Sequence, residues 1–544
     1  MVPKSAAPRE AARNFPPLGK DPKVLLVWPK IPNSFWAFSG MLDLLSETVV
    51  MPPLGLITVA ALCPSRWTLR LVDEAVEILT DDDLRWADLV MVGGMEVQKS
   101  GMHEILGRAR RLGRRTMVGG PYASGEPDRM LALADHVVVG EPDEVFGQIA
   151  SDLEAGTAKR LYEITDKPDV THTPIPRFDL LKLSSYASMS IQFSRGCPFQ
   201  CEFCDIIILY GRKPRTKRPQ QVLAELDTLL SLGWKKQLFI VDDNFIGNHQ
   251  RALELCGELE KWQQAHGFPV MFYTEASMDL ARKTALIDAM VRANFFYVFL
   301  GIESPSKESL QETKKFQNLA MDPVSCIEVL HQKGLWVTGG FIVGFDSDAE
   351  DIFDRQIAFI ERTAIPWALV NSLHAMPRTA LYERMEKEGR LLVESQFSSG
   401  DTNPPNFRTK MAPAALLRGL AKTLATIYEP TTFYERAWRS MESWEVKKHQ
   451  HAAQHPNATG IAAIVLRSIW RQGIRSNYRQ AYWKYALKVV SNYAMNPAKI
   501  WMATTLMISG HHFIPYAREV VAKIGEEIQR VEALSELVPV PAGE

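Results

Sequence analysis

The stretch RGCPFQCEFCDI, residues 195–206, sets Cys197, Cys201 and Cys204 within eight positions of a chain that has six cysteines in all. A structural zinc site takes four protein ligands, normally in two separated pairs, and no fourth cysteine is near. Cys63, Cys256 and Cys326 each stand alone in apolar, helix-like surroundings and are expected in the core. A cubane iron–sulfur cluster is held instead by thiolates, one per iron. Three cysteines on one loop would hold three irons and leave the fourth open to another molecule.

Two alternations of strand and helix must position that loop. From residue 23 to about 150, KVLLVWP, LRLVDEA, ADLVMVGG, RRTMVGG and DHVVVGE read as strands. Most are continuous apolar runs, the pattern of a parallel sheet covered on both faces. This predicts a doubly wound, Rossmann-like α/β domain over 23–150, with ligands beyond the carboxyl ends of its strands. Its glycine-rich exits, including Gly119, Gly120 and Gly140, lie where backbone can approach a ligand closely, or they serve plain turns. Residues 1–22 read as a frayed tail and the proline-rich 151–188 as a linker. Over 189–397, six further strand-like runs alternate with amphipathic helices, which predicts a partial (β/α)6 barrel with its chemistry at the strands' carboxyl ends. The cysteine loop directly follows the first of these strands. From SSGDTNPPNF onward the strands stop, and 398–544 reads as an α-helical region.

The bulk numbers fit an ordinary globular chain of two or three domains: 544 residues, 46% hydrophobic and 23% charged. A formal net charge of −1 advertises no polyanionic partner. No run of eighteen apolar residues predicts a membrane span. With few, clustered cysteines and no apolar signal segment, the expected compartment is the reducing cytoplasm.

The C-x3-C-x2-C spacing, with Phe203 before the last cysteine, resembles the signature of the radical S-adenosylmethionine (SAM) superfamily. That resemblance implies a [4Fe-4S] cluster on Cys197, Cys201 and Cys204, its open iron chelating SAM, and a 5′-deoxyadenosyl radical on reduction. It implies SAM contacts from Asp242 or Asp243 in VDDNF, from Glu303 in GIES, from Glu275 in YTEAS, and from Gly340 and Gly344 in GGFIVG. Each acid equally suits a strand-end carboxylate capping the next helix. PPLGLITVAAL, GGPYASGEPDRM and VVVGEPDEVF resemble, in order, a cobalamin-binding domain, which implies cobalamin near Gly119, Gly120, Pro121, Gly140 and Glu141. The D-x-H-x-x-G motif that gives histidine to cobalt is absent; His103 and His136 lack its context. Together the motifs resemble the subgroup containing the hopanoid C-2 methylases. The implied activity is methyl transfer from cobalamin to an unactivated carbon of a lipid-like or other small molecule, with electrons from an external donor of the flavodoxin or ferredoxin type. The alternative is a radical SAM rearrangement, cyclisation or oxidation, with or without cobalamin. An RNA-modifying methylthiolase would need three more N-terminal cysteines, and only Cys63 lies there.

Between Glu445 and Glu519 there is no Asp or Glu, against ten Lys or Arg. Arg467, Arg471, Arg475 and Arg479 recur every four residues, interleaved with Trp470, Tyr478, Tyr482, Trp483 and Tyr485. Such a helix fits peripheral contact with an anionic membrane at its inner face. Nucleic acid is a weaker competitor, and a basic face paired with acids elsewhere is the plain alternative.

Overall fold

A computed structural model describes residues 13, 15–392, 404–447, 450 and 458–537. The expected boundary at 397/398, most of the expected N-terminal tail and the extreme C-terminus lie outside these residues. The chain divides into two compact units: Met1–Pro32, Thr48–Pro198 and Ile206–Trp234 in the first, and Asn33–Glu47, Phe199–Asp205 and Lys235–Glu544 in the second.

The first unit carries a parallel sheet of β1 (Lys23–Trp28), β2 (Thr68–Asp73), β3 (Leu89–Gly93), β4 (Arg115–Gly119), β5 (His136–Val139) and β6 (Leu161–Glu163), in the order β2-β1-β3-β4-β5-β6. The five strands expected from the apolar runs all form. β6 comes from the stretch read as a linker and pairs parallel with β5. Period-two alternation splits the apolar runs between two layers. Leu25, Val27, Val90 and Val92 pack into one core cluster, and Val24, Leu89 and Met91 into the other. In this strand order the chain reverses direction between β1 and β3, so the crevice for a ligand opens past their carboxyl ends.

Two glycines at those ends cannot be replaced cheaply. Gly120 has φ +91° with Gly94 backbone against it, and Gly140 has φ +90°. A Cβ on Gly140 would stand 2.3 Å from the Ile164 carbonyl oxygen. The left-handed backbone and this clash together predict that Gly140→Ala costs at least about 2 kcal/mol, measured as a lowered urea midpoint.

All six strands expected of the second alternation form as well. β7 (Ser188–Ile191) belongs to the first unit, as does the short antiparallel pair β8 (Ser194–Arg195) and β9 (Arg215–Thr216). β10 (Gln237–Ile240), β11 (Met271–Ala276), β12 (Phe295–Glu303), β13 (Trp336–Val343) and β14 (Ala368–Ser372) are successive parallel neighbours in the second unit. The helices between them have sharp ends. His249–His266 starts where the Asn248 side chain accepts from the Arg251 N–H, and stops at Gly267 with φ +70°. Beyond the sheet the chain is helical, with Pro413–Ile427, Pro430–Ser443, Arg479–Tyr493 and the long Pro497–Leu537. Indole N–H groups tie this region to the sheet: Trp336 donates to Ser440 Oγ at 2.8 Å and Trp367 to Ser509 Oγ at 2.9 Å. Asn33–Glu47 joins the same unit, with Tyr516 donating to the Asn33 carbonyl.

Candidate active site

At the carboxyl end of β12 the backbone departs from the strand. The β12–β13 register slips between Gly301 and Glu303, and Glu303 adopts φ +65°. A non-glycine residue held in the left-handed region costs about 1–3 kcal/mol and persists only where its surroundings fix it. Here the fixing partner is Lys315, whose buried ammonium pairs with the Glu303 carboxylate. A Cβ on Gly301 would come within 2.7 Å of Lys315 Nζ and 2.8 Å of Glu303 Oε1, so a larger residue there would displace the tips of the pair. Burial alone would lower the Lys315 pKa, but Glu303 and the neighbouring Cys201 and Cys204 side chains hold it above the usual lysine value. Lys315 also lies 5.8 Å from the Phe203 ring centroid. Glu303, Phe203, Cys201 and Cys204 thus share one cation. Sequence reading missed Lys315, whose only signal was a cation twelve residues past Glu303.

Beside this pair, burial pushes Glu275 up to about 8, helped by the charges of Asp243 and Glu303 and opposed by Lys315. Asp242 is buried. Gly340 makes room for the Phe299 ring, which a Cβ there would meet at 2.7 Å. Gly344, with φ +101°, donates its N–H to Asp348 at 2.8 Å. Below the acids the same sheet face turns aromatic. Phe239, Tyr273 and Tyr297 stack across β10, β11 and β12 with centroids 4.7 and 4.5 Å apart, and Trp36 lies 4.8 Å from Phe299.

None of the six cysteines forms a disulfide. Cys256 and Cys326 are buried in the core as expected, and burial pushes the Cys63 thiol up to about 12. In the loop, the Cys197 N–H bonds to the Gly211 carbonyl, and Cys201 Sγ accepts from Gln317 Nε2 at 3.5 Å. Among the described residues no three His, Cys, Asp or Glu side chains gather as one metal ion would require. A cubane asks instead for one thiolate at each of three corners, and a loop of three cysteines, of which Cys201 and Cys204 stand beside a buried ammonium, is a donor set that suits it.

The root of the loop is held by a buried charge network within the first unit. Arg195 donates to Glu141 and to Asp143, both at 2.8 Å, and Arg215 donates to the other Glu141 oxygen at 2.7 Å. Burial would raise the Asp143 pKa, but the Arg195 guanidinium holds it below the ordinary carboxylate range. The Glu141 side chain, expected toward cobalamin, is therefore committed to two guanidinium groups. Pro121 opens a short helix after Gly120, and the Gly140 N–H donates to Ser124 Oγ. His103 bonds to the Tyr122 hydroxyl at 2.9 Å, while His136 is buried at the amino end of β5 with Nδ1 on the Lys159 carbonyl. That end is opposite the glycine exits.

In the C-terminal region the expected interleaving of the arginines with aromatic residues is corrected for the tyrosines. Tyr478, Tyr482 and Tyr485 are buried in the helical core, not interleaved on the outer face. Arg471 pairs with Asp43, Arg467 donates to Ser46, and Arg475 lies over the Trp470 ring. Arg479 opens the helix that bears its name.

A parallel sheet with its reactive-looking groups at the carboxyl ends, followed from a C-x3-C-x2-C loop, defines a class. Residues 191–356 match the model of the radical SAM superfamily, and 379–526 match a domain of unknown function, DUF4070. The uncharacterized methyltransferase sll1242 of Synechocystis is 41% identical, covering 93% of this chain and 94% of its own. The hopanoid C-2 methylase of Rhodopseudomonas palustris is 33% identical over 91% and 94%. The chain belongs to this family of radical SAM methyltransferases, and it is a radical SAM enzyme. In fold it resembles OxsB, solved with aqua-cobalamin and SAM bound, at a TM-score of 0.57 and 14% identity over 94% of this chain and 81% of OxsB. It likewise resembles TsrM of Kitasatospora setae, solved with cobalamin and a [4Fe-4S] cluster, at 0.57 and 13% identity over 93% and 100%.

Proposed function

We propose that this enzyme methylates an unactivated carbon of an apolar, polycyclic lipid of the hopanoid type, using a [4Fe-4S] cluster, SAM and cobalamin. The observation that carries the substrate class is the layering of one sheet face. Carboxylates and a lysine stand at its carboxyl end, and the aromatic wall of Phe239, Tyr273, Tyr297 and Phe299 lies below. A flat hydrocarbon is accommodated by such a wall, which asks for no hydrogen bonds. The relationship to the Rhodopseudomonas hopanoid C-2 methylase supports the same reading.

When bound, the cofactors supply radical generation and the methyl group, and the protein holds and shields them. Cys197, Cys201 and Cys204 ligate three irons. Glu303, freed from Lys315, accepts from the SAM ammonium or ribose, and Asp242 or Asp243 and Glu275 add acceptors beside it. Gly344 brings backbone near SAM, while Phe299 occupies the space over Gly340. Gly119, Gly120, Pro121 and Gly140 present backbone to cobalamin, with Glu141 contributing backbone only. No acid or base need touch an sp3 carbon. Electrons come from an external donor of the flavodoxin or ferredoxin type.

The test is twofold. Anaerobically reconstituted protein should show the absorption of bound cobalamin and form 5′-deoxyadenosine with reductant. A deletion strain should lose one methylated polycyclic lipid from its profile. Zinc in place of iron would end the reading, and an unchanged lipid profile would end its substrate half.

A further inference from the structure

The helix Ala458–Ser468 continues into a π-helical turn, Ile469–Ile474, and is followed by Arg479–Tyr493. Its burial pattern is inverted. Ser468 and Gln472 are fully buried and bonded to each other, to Tyr482 and to the Met507 carbonyl. Leu466, Trp470 and Ile474, four residues apart, are 65%, 54% and 50% exposed. A helix that served only the fold would bury the second set and expose the first. The π turn, closing its hydrogen bonds at i+5, is wider than an α turn, so residues four apart there keep a common side. On Arg479–Tyr493 a second outward stripe repeats this, with Leu487 and Val490 exposed while Tyr482, Tyr485 and Val489 are buried.

The fringe of these stripes is basic. Arg467, Arg471, Arg475, Arg479, Lys484 and Lys488 belong to the same segments, which carry no acid of their own. Asp43 and Glu435 face them from neighbouring elements and pair with Arg471 and Lys484; Glu442 lines the groove beside Lys488. Cations therefore exceed acids on this face.

We propose that this face docks the enzyme on a bilayer bearing anionic headgroups, with Leu466, Trp470, Ile474, Leu487 and Val490 entering the interface and the arginines meeting phosphate. It lies on the surface and does not span, since no helix of the described residues is long and apolar enough to cross a membrane. The lipid reading gives such docking a purpose, but the evidence for it is independent, and each can fail alone.

The experiment is vesicle flotation of the full-length, iron-loaded protein. Wild type should float with phosphatidylcholine vesicles containing roughly 30% phosphatidylglycerol and remain behind with phosphatidylcholine alone. Trp470 emission should shift to the blue on binding. Leu466→Ser/Trp470→Ser/Leu487→Ser should lose at least tenfold in partition while iron content and melting temperature stay unchanged, because all three side chains are exposed. Arg475→Glu/Arg479→Glu should weaken binding most at low salt. Wild type failing to float, or the triple variant floating like wild type, would overturn the proposal. So would dimerisation that the triple variant abolishes without any flotation, or retention of single-stranded RNA in place of vesicles.

Discussion

Cys201→Ala is expected to strip the loop of its cluster. Iron should fall from about four per chain to below one, and 5′-deoxyadenosine formation should fall to background, on the order of a thousandfold or more. The residue is 8% exposed, its sulfur accepts from Gln317, and it stands beside Lys315. Alanine removes that sulfur and leaves the lysine facing Glu303 and Cys204. A buried cysteine elsewhere provides the contrast. Cys256→Ala, in the core beneath His249–His266, should cost about 1 kcal/mol of stability and leave the iron content unchanged. Iron determination on both variants decides the matter; full iron in Cys201→Ala would remove the cysteine loop as the cluster site.

Arg195→Met should be the most destabilising single change in the first unit, by about 3–5 kcal/mol at neutral pH. It strips a buried carboxylate of its cation, since Glu141 keeps Arg215 but Asp143 keeps the Thr173 hydroxyl, at 2.7 Å, and its own backbone N–H. The sign of its pH dependence follows from Asp143. With its pKa lowered by Arg195, Asp143 contributes stability above the ordinary carboxylate range, and that contribution is lost as pH falls through the lowered value. The deficit of the variant should therefore be largest at pH 7 and shrink at about pH 3, below the ordinary carboxylate range. Arg195→Lys should fall between, because one ammonium cannot reach both carboxylates as a planar fork does. Urea unfolding at the two pH values measures both effects. Because Arg195 stands two residues before Cys197, iron retention should fall alongside. A constant deficit across pH would show that Asp143 gains nothing from this arginine.

Much of this protein was legible along the chain. The cysteine spacing is local, and a loop of ten residues presents its ligands wherever it is placed. The strands were legible because apolar runs of five or six residues between glycines admit few other structures when both faces are covered. Even β6 could have been found, since LYEI is such a run, but the prolines that follow it outweighed the signal.

Partnership across the chain was not legible. Arg195 reaches Glu141 and Asp143 from 54 and 52 positions away, and no pattern in GEPDE tells whether its acids meet a ligand or a guanidinium. Lys315 is ordinary in sequence and becomes a site residue only because the bulge at Glu303 turns a carboxylate toward it. In the acid-free tail the sequence determined composition, a basic and aromatic helix pair, whereas neighbours decided which residues face outward. The long helix Pro497–Leu537 covers the tyrosines and leaves Leu466, Trp470 and Leu487 in solvent. Local chemistry and periodicity are written in adjacent residues, but burial and charge pairing are properties of whatever surface packs against them.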